Sequence, residues 1–260
     1  MAKYRVPALE KSIAILNLIA SGKRKYTITE ITKELEISKA TVFSILNVLN
    51  SHDILRRNSK GEYEIGLKLY ELGMSYASDM NIVEIAHPYL ENLMEETGHT
   101  VHLGVLDEGE ILYIDKVEPD SFIKFSTYPG LRAEFHTTSL GKSIVAYLKD
   151  VEVEELVATK GLSKFTSKTI TNLGDLKKDL MEIRHKGYAL EDEEGEIGVR
   201  CIGAPIFNGS TNHIIASISI AGHTSKLTYP SIEKLSSKVQ ETANVISKKL
   251  GFTGVVNSVK

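Results

Sequence analysis

Residues Thr27–Ile65 read TITEITKELEISKATVFSILNVLNSHDILRRNSKGEYEI. The order predicted from this stretch is two short helices across a tight turn, then a basic β-hairpin. That is a winged helix-turn-helix, whose second helix enters the DNA major groove. Thr27 followed by Glu30 is a capping-box pattern, in which hydroxyl and carboxylate each satisfy an orphan backbone N–H. Ile28, Ile31 and Leu35 then share a helical face. Ser38 is a second N-cap candidate, and Val42, Ile45, Leu46 and Leu49 make the apolar stripe of the helix after it. Between the two helices, the turn calls for a left-handed residue near Glu36, at a cost of about 1 kcal/mol for a side chain other than glycine.

Opposite the stripe of the second helix stand Lys39, Ala40, Phe43, Ser44 and Asn47. That face has to meet water or a partner. Asn47 suits adenine, and Ala40 or Phe43 can pack on a thymine methyl. Thr27, Ser38, Thr41 and Ser44 suit phosphates or nearby base edges. The hairpin pairs Ile54–Arg57 with Glu62–Ile65 across Asn58-Ser59-Lys60-Gly61, whose residues supply turn chemistry. Arg56, Arg57 and Lys60 give it a cationic tip. Lys3, Tyr4 and Arg5 would form a short backbone-binding arm, and Gly22–Lys25 a basic loop.

Charge is divided to match. The whole chain of 260 residues carries −3. Residues 1–68 hold 12 Lys/Arg against 7 Asp/Glu, a net of +5, and the remainder a net of −8. Phosphate would attract the first part and repel the second. No apolar run is long enough to span a bilayer, and MAKYRVPALEKS lacks a signal-peptide pattern. The single cysteine, Cys201, excludes an internal disulfide and fits a reducing cytoplasm.

Around this reader, a first helix is predicted over Ala8–Ala20 with Leu9, Ile13, Leu16 and Ile19 inward. Gly66–Met80 reads as a helix apolar on two faces, suited to a connector or subunit contact. Another helix follows over Ile82–Thr97. The expected division is a DNA-binding domain at 1–67, a linker helix at 68–80 and an effector-binding domain at 81–260. Strands are predicted at Thr100–Leu106, Glu110–Val117, Ile123–Ser126, Tyr188–Asp192, Val199–Phe207 and Ile214–Ile220, with Asn208-Gly209 as a hairpin turn. Helices are predicted at Leu140–Leu148, Leu173–His185 and Ser231–Leu250, the last burying Ile232, Leu235, Val239, Ala243, Ile246 and Leu250. Helices on one side of these strands make an α+β domain.

The chain resembles the IclR-type bacterial transcriptional regulators along nearly its whole length. The likeness rests on ALEKSIAILNLI, TITEITKELEISKATVFSILNVL and YEIGLKLYELG in the reader. In the second half it rests on PGLRAEFHTTSLGKSIVAYL (Pro129–Leu148), GYALEDEEGEIGVRCIGAPI (Gly187–Ile206) and ASISIAG (Ala216–Gly222). The resemblance implies an N-terminal winged helix-turn-helix, a linker helix used in dimerisation and a C-terminal GAF-like α+β effector-binding domain. Its implied partners are double-stranded operator DNA, a small-molecule effector and further copies of the chain, as a homodimer or dimer of dimers. Repression is the expected outcome, with no membrane and no cofactor. By position, the effector would lie near Ser139, Leu140, Glu191, Cys201, Ser219 and Ala221. Glu191 in place of Asp and Ala221 in place of Ser speak against a small keto acid. Ser44 stands at a position often held by Arg.

Local chemistry adds to this pocket. His136–Gly141 leads into a helix whose first N–H groups, beside Thr138, suit a carboxylate. Arg132 can clamp a carboxylate or brace the loop after Gly130. Ser217 and Ser219 alternate with Ile218 and Ile220, so both hydroxyls share a strand face. Besides a ligand-sensing module that no longer binds DNA, against which the basic reader argues, two alternatives compete with the regulator. One is a small-molecule-processing enzyme with Cys201 as nucleophile, His136 as base and Glu191 as orienter. The other is a metal sensor using His99 and His102 with His136 or Cys201.

Overall fold

The computed structural model describes residues 6–21, 24–79, 81–121, 124–208 and 213–253. The arm at Lys3–Arg5, Gly22 and Lys23 of the basic loop, Ile123 and the glycine of Asn208-Gly209 lie outside them. The chain divides into two compact units, residues 1–80 and 81–260.

In the first unit, α1 (Pro7–Ala20) precedes β1 (Tyr26–Thr27), α2 (Ile28–Leu35), α3 (Lys39–Ser51), β2 (Leu55–Arg57), β3 (Glu62–Ile65) and α4 (Leu67–Asp79). The capping box forms: Glu30 N donates to Thr27 Oγ1, and the Thr27 N–H donates to the Glu30 carboxylate at 2.8 Å. Ser38 caps α3 through the Thr41 N–H. Ile15, Ile31, Val42, Leu46 and Leu55 form a fully buried core. β3 is central in an antiparallel sheet of order β1-β3-β2. The β1 strand had no apolar alternation to announce it.

The inward face of α1 differs from expectation. Leu9 is 58% and Ile13 48% exposed, while Ile15 and Ile19 are buried. The helix carries two apolar stripes, and this unit covers only one.

Glu36 has φ 53° and ψ 32°, the left-handed conformation the turn required. Glu36→Gly is therefore expected to stabilise the N-terminal unit by about 0.5–1 kcal/mol, relief of strain exceeding the added unfolded-state entropy. Chemical denaturation checks it; a destabilised variant would contradict the strain.

The second unit runs α5 (Asn81–Thr97), β4 (Thr100–Asp107), β5 (Glu110–Val117), β6 (Arg132–Glu134), α6 (Ser139–Val145), α7 (Asp150–Lys160), α8 (Leu173–Lys186), β7 (Ala189–Asp192), β8 (Val199–Phe207), β9 (Ile214–His223) and α9 (Ile232–Lys249). Its sheet has the order β6-β5-β4-β9-β8-β7, antiparallel throughout. Lys124–Ser126 is not a strand; β6 takes the place beside β5. The triplet Arg132-Ala133-Glu134 has no alternation to reveal it. Helix α7 was also unread, because Val153 is its one buried residue. Leu250 falls just past α9 and is half-buried rather than core.

Helices cover both faces of the sheet, not one. On β9, Ser217, Ser219 and Ala221 point to one side and Ile218 and Ile220 to the other. The Ser143 hydroxyl of α6 meets Ser217 Oγ at 2.7 Å, fixing α6 on the serine side. His87 of α5 bonds Asp115, which pairs across the sheet with Leu103, and this fixes α5 on the isoleucine side. Helix α9 packs on α5 and on β8. Two glycines let α6 lie close. A Cβ at Gly203 would fall 2.6 Å from Ser139 O, and one at Gly141 2.2 Å from Phe135 O.

Candidate nucleic-acid interface and ligand cavity

Burying Val42, Leu46 and Leu49 leaves Lys39, Ala40, Phe43, Ser44 and Asn47 exposed on α3, with Phe43 at 52%. Val48, which the sequence reading passed over, is 58% exposed beside them. One of the proposed phosphate ligands is committed elsewhere: the Thr27 hydroxyl belongs to the capping box. The Ser38 and Thr41 hydroxyls bond each other at 2.8 Å on the exposed start of α3.

In the wing, Asn58 Oδ1 accepts the N–H groups of Lys60 and Glu62, each at 3.0 Å, which sets the turn. Gly61 there has φ +80°. Arg57 lies over the Tyr63 ring. Among the described residues, Lys39, Arg56, Arg57 and Lys60 have no ion-pair partner, whereas Arg24 pairs with Glu30 and Lys25 with Glu64. Cations left without ion-pair partners are free to neutralise phosphate.

The second unit holds a cavity of about 520 Å³ on the serine side of its sheet. Arg132, Thr138, Ser139, Leu140, Glu191, Cys201, Ser219 and Ala221 all line it. Ser217 does not: it is fully buried under α6, bonded to Ser143 and to Ala204 O. Sharing a strand face with Ser219 was correct, but α6 covers that part of the face. Arg132 is bound at the rim by the Asp107 carboxylate, and its Nη1 donates to Asp107 O at 3.1 Å. It braces the loop.

Glu191 is 2% exposed, and its Oε1 accepts the N–H groups of Glu194 at 2.7 Å and Gly195 at 3.2 Å. Burial raises its pKa to about 7 against those hydrogen bonds and one from the Cys201 thiol. The thiol itself is pushed well up by burial and by Glu191. Behind this wall, Lys142 of α6 is fully buried. Its Nζ lies 2.6 Å from Glu194, 3.1 Å from Asp179 and 2.7 Å from Leu190 O. Burial works against the ammonium, but Glu194 and Asp179 outweigh it and hold its pKa up.

Sequence reasoning missed His102, Tyr113 and Thr127 on the cavity wall. The register of β4 on β9, His102 opposite Ser219, brings His102 there. Burial and Lys116 lower its pKa to about 3, so the imidazole is neutral. Its Nε2 bonds Thr127 Oγ1 at 2.7 Å, and its ring meets Tyr113 edge-on. Lys116 Nζ holds the carbonyls of Phe125 and Thr127, both at 2.9 Å, fixing that loop.

The enzymatic and metal constellations do not assemble. His136 is buried away from the cavity, its Nε2 on Ser163 O, while Cys201 faces the cavity from β8. No group of three metal-ligating side chains occurs among the described residues. No described helix is long and apolar enough to cross a membrane.

A winged helix-turn-helix with an outward recognition face, followed by an α+β unit built around a small-molecule-sized cavity, defines a ligand-responsive type of DNA-binding protein. The comparisons agree. Residues 8–59 match the IclR helix-turn-helix domain, and residues 74–248 match the bacterial transcriptional regulator IclR C-terminal domain. The chain belongs to the IclR family of bacterial transcriptional regulators. It is 32% identical to the HTH-type transcriptional regulator XynR of Escherichia coli K12, over 95% of this chain and 98% of that one. It is 30% identical to the transcriptional repressor IclR of the same strain, over 96% and 92%. The crystal structure of the Thermotoga maritima IclR superimposes with a TM-score of 0.80 at 36% identity, covering 94% of this chain and 98% of that chain. These relatives are regulators of transcription, not enzymes.

Proposed function

We propose that the protein is a homodimeric or tetrameric repressor. Lys39, Ala40, Phe43, Ser44 and Asn47 read operator DNA, with Ser38 and Thr41 near phosphates and Arg56, Arg57 and Lys60 holding the backbone. A small effector in the cavity shifts that binding. In this reading 1–67 is the reader, 68–80 the linker and 81–260 the sensor, working in the cytoplasm. The observation that carries it is the exposed face of α3 beside cations that have no ion-pair partner among the described residues. Leu67, Tyr70 and Leu72 of α4, each at least 53% exposed, supply apolar surface for a subunit contact. A dimer then sets two recognition helices about 34 Å apart in successive major grooves. The effector acts through differential affinity for two dimer arrangements, of order 1–3 kcal/mol.

The test uses an operator selected from random duplexes. Affinity is expected to fall steeply with salt, as counterion release requires. Asn47→Ala is expected to lose about 1–3 kcal/mol on the operator and little on random DNA. Equal loss on both would remove Asn47 from base reading, and salt-independent affinity would remove the interface.

A further inference from the structure

Four glutamates line the cavity, Glu110, Glu134, Glu191 and Glu196, of which Glu110 is paired with Lys160 and Arg132. Its one cationic side chain among the described residues, Arg132, is already held by Asp107, with Glu110 3.8 Å away. His102 is neutral and committed to Thr127. An anion entering this space would find no cation free of a carboxylate partner, only the N–H groups at the start of the seven-residue α6.

The same wall presents hydroxyls without partners. Tyr113 is 8%, Ser139 1% and Ser219 3% exposed. All three line the cavity, and no hydrogen bond is made to their hydroxyls among the described residues. A hydroxyl at a cavity wall that no protein group satisfies bonds whatever occupies the space, ligand or water. Phe125 and Phe165 add apolar ring surface.

We propose that the cavity takes an uncharged, hydroxyl-rich molecule, a sugar or sugar alcohol, and excludes carboxylate and phosphate anions. This inference rests on the effector reading above. Tyr113, Ser139 and Ser219 exchange hydrogen bonds with ligand hydroxyls, and Glu191 accepts from one. Ring faces pack on the ligand's C–H edges. Burial raises the Glu191 carboxyl well above the usual carboxylate range, so it can donate to a ligand hydroxyl as well as accept from one.

The experiment is calorimetric titration of the full-length protein with size-matched sets. These are neutral pentoses, hexoses and their alditols, the corresponding aldonates and sugar phosphates, and the amino sugars. Saturable binding is expected from at least one neutral member, with its anionic counterpart at least tenfold weaker. Tyr113→Phe and Ser219→Ala should each weaken that ligand about tenfold while leaving thermal stability near wild type. A carboxylate, phosphate or amine that binds more tightly than its neutral counterpart, and is weakened by Tyr113→Phe and Ser219→Ala, overturns the ligand class while keeping the cavity as sensor. A ligand whose affinity neither substitution changes overturns the cavity reading itself. Failure of every neutral member to bind overturns the proposal.

Discussion

Lys142→Met is expected to destabilise the C-terminal unit by about 3–5 kcal/mol, the usual cost of removing one partner from a buried ion pair. Methionine matches the lysine stem in length, so little packing is lost. The variant instead strands charge. Glu194 is buried and its Oε2 already lacks a hydrogen-bond partner; without the ammonium, Oε1 loses its own. Leu190 O loses its donor as well. For a unit of this size the loss corresponds to a fall in Tm of roughly 10 °C. Adding Glu194→Gln should recover part of it, because only the less buried Asp179 carboxylate then stays charged. A Tm within about 2 °C of wild type would show that the Lys142 cluster is not holding α6 against β7 and the turn after it.

Glu191→Gln is expected to change how stability depends on pH. The Glu191 carboxyl is raised from 4.5 to about 7 in the folded protein, chiefly by desolvation. The folded state therefore binds a proton that the unfolded state releases between those values. The stabilising contribution is complete below pH 4.5 and is lost as pH rises through 7. Over that window it amounts to about 3 kcal/mol, from 1.36 kcal/mol per pKa unit. Glutamine still accepts the Glu194 and Gly195 N–H groups but cannot ionise. The variant should match wild type near pH 5 and exceed it at pH 8. Thermal melts of both proteins from pH 5 to 8 give the difference curve, in which other titrations cancel. A flat difference curve would mean that Glu191 titrates normally.

The reader was legible because its signals are local. Thr27 and Glu30 meet within one helical turn, Asn58 organises its own hairpin, and the strain at Glu36 follows from a turn of fixed length. Strands β4, β5, β8 and β9 announced themselves as apolar runs bounded by turn residues, with clear alternation in β5 and in the serines and isoleucines of β9. What stayed hidden was short or marginal: β6 has too few residues to show a period, and α7 buries too little to show a stripe. On α1 the sequence offers two apolar stripes, and only packing shows that Ile15 and Ile19 are inside.

The cavity divides in the same way. Ser139, Leu140, Glu191, Cys201, Ser219 and Ala221 came from motif resemblance, which carries position but no contacts. The register of β4 against β9 added His102, and the same packing of α6 that made the cavity floor removed Ser217 from it. The sequence by itself determined the capped helices, the wing, the division of charge and the strands that alternate, because each depends on neighbours a few residues apart. Tertiary structure alone decided that α6 and α5 lie on opposite sides of the sheet, that Arg132 is already paired, and that three hydroxyls face a common space. Those facts depend on residues far apart in the chain, whose meeting is fixed by strand register and packing and leaves no local pattern to read.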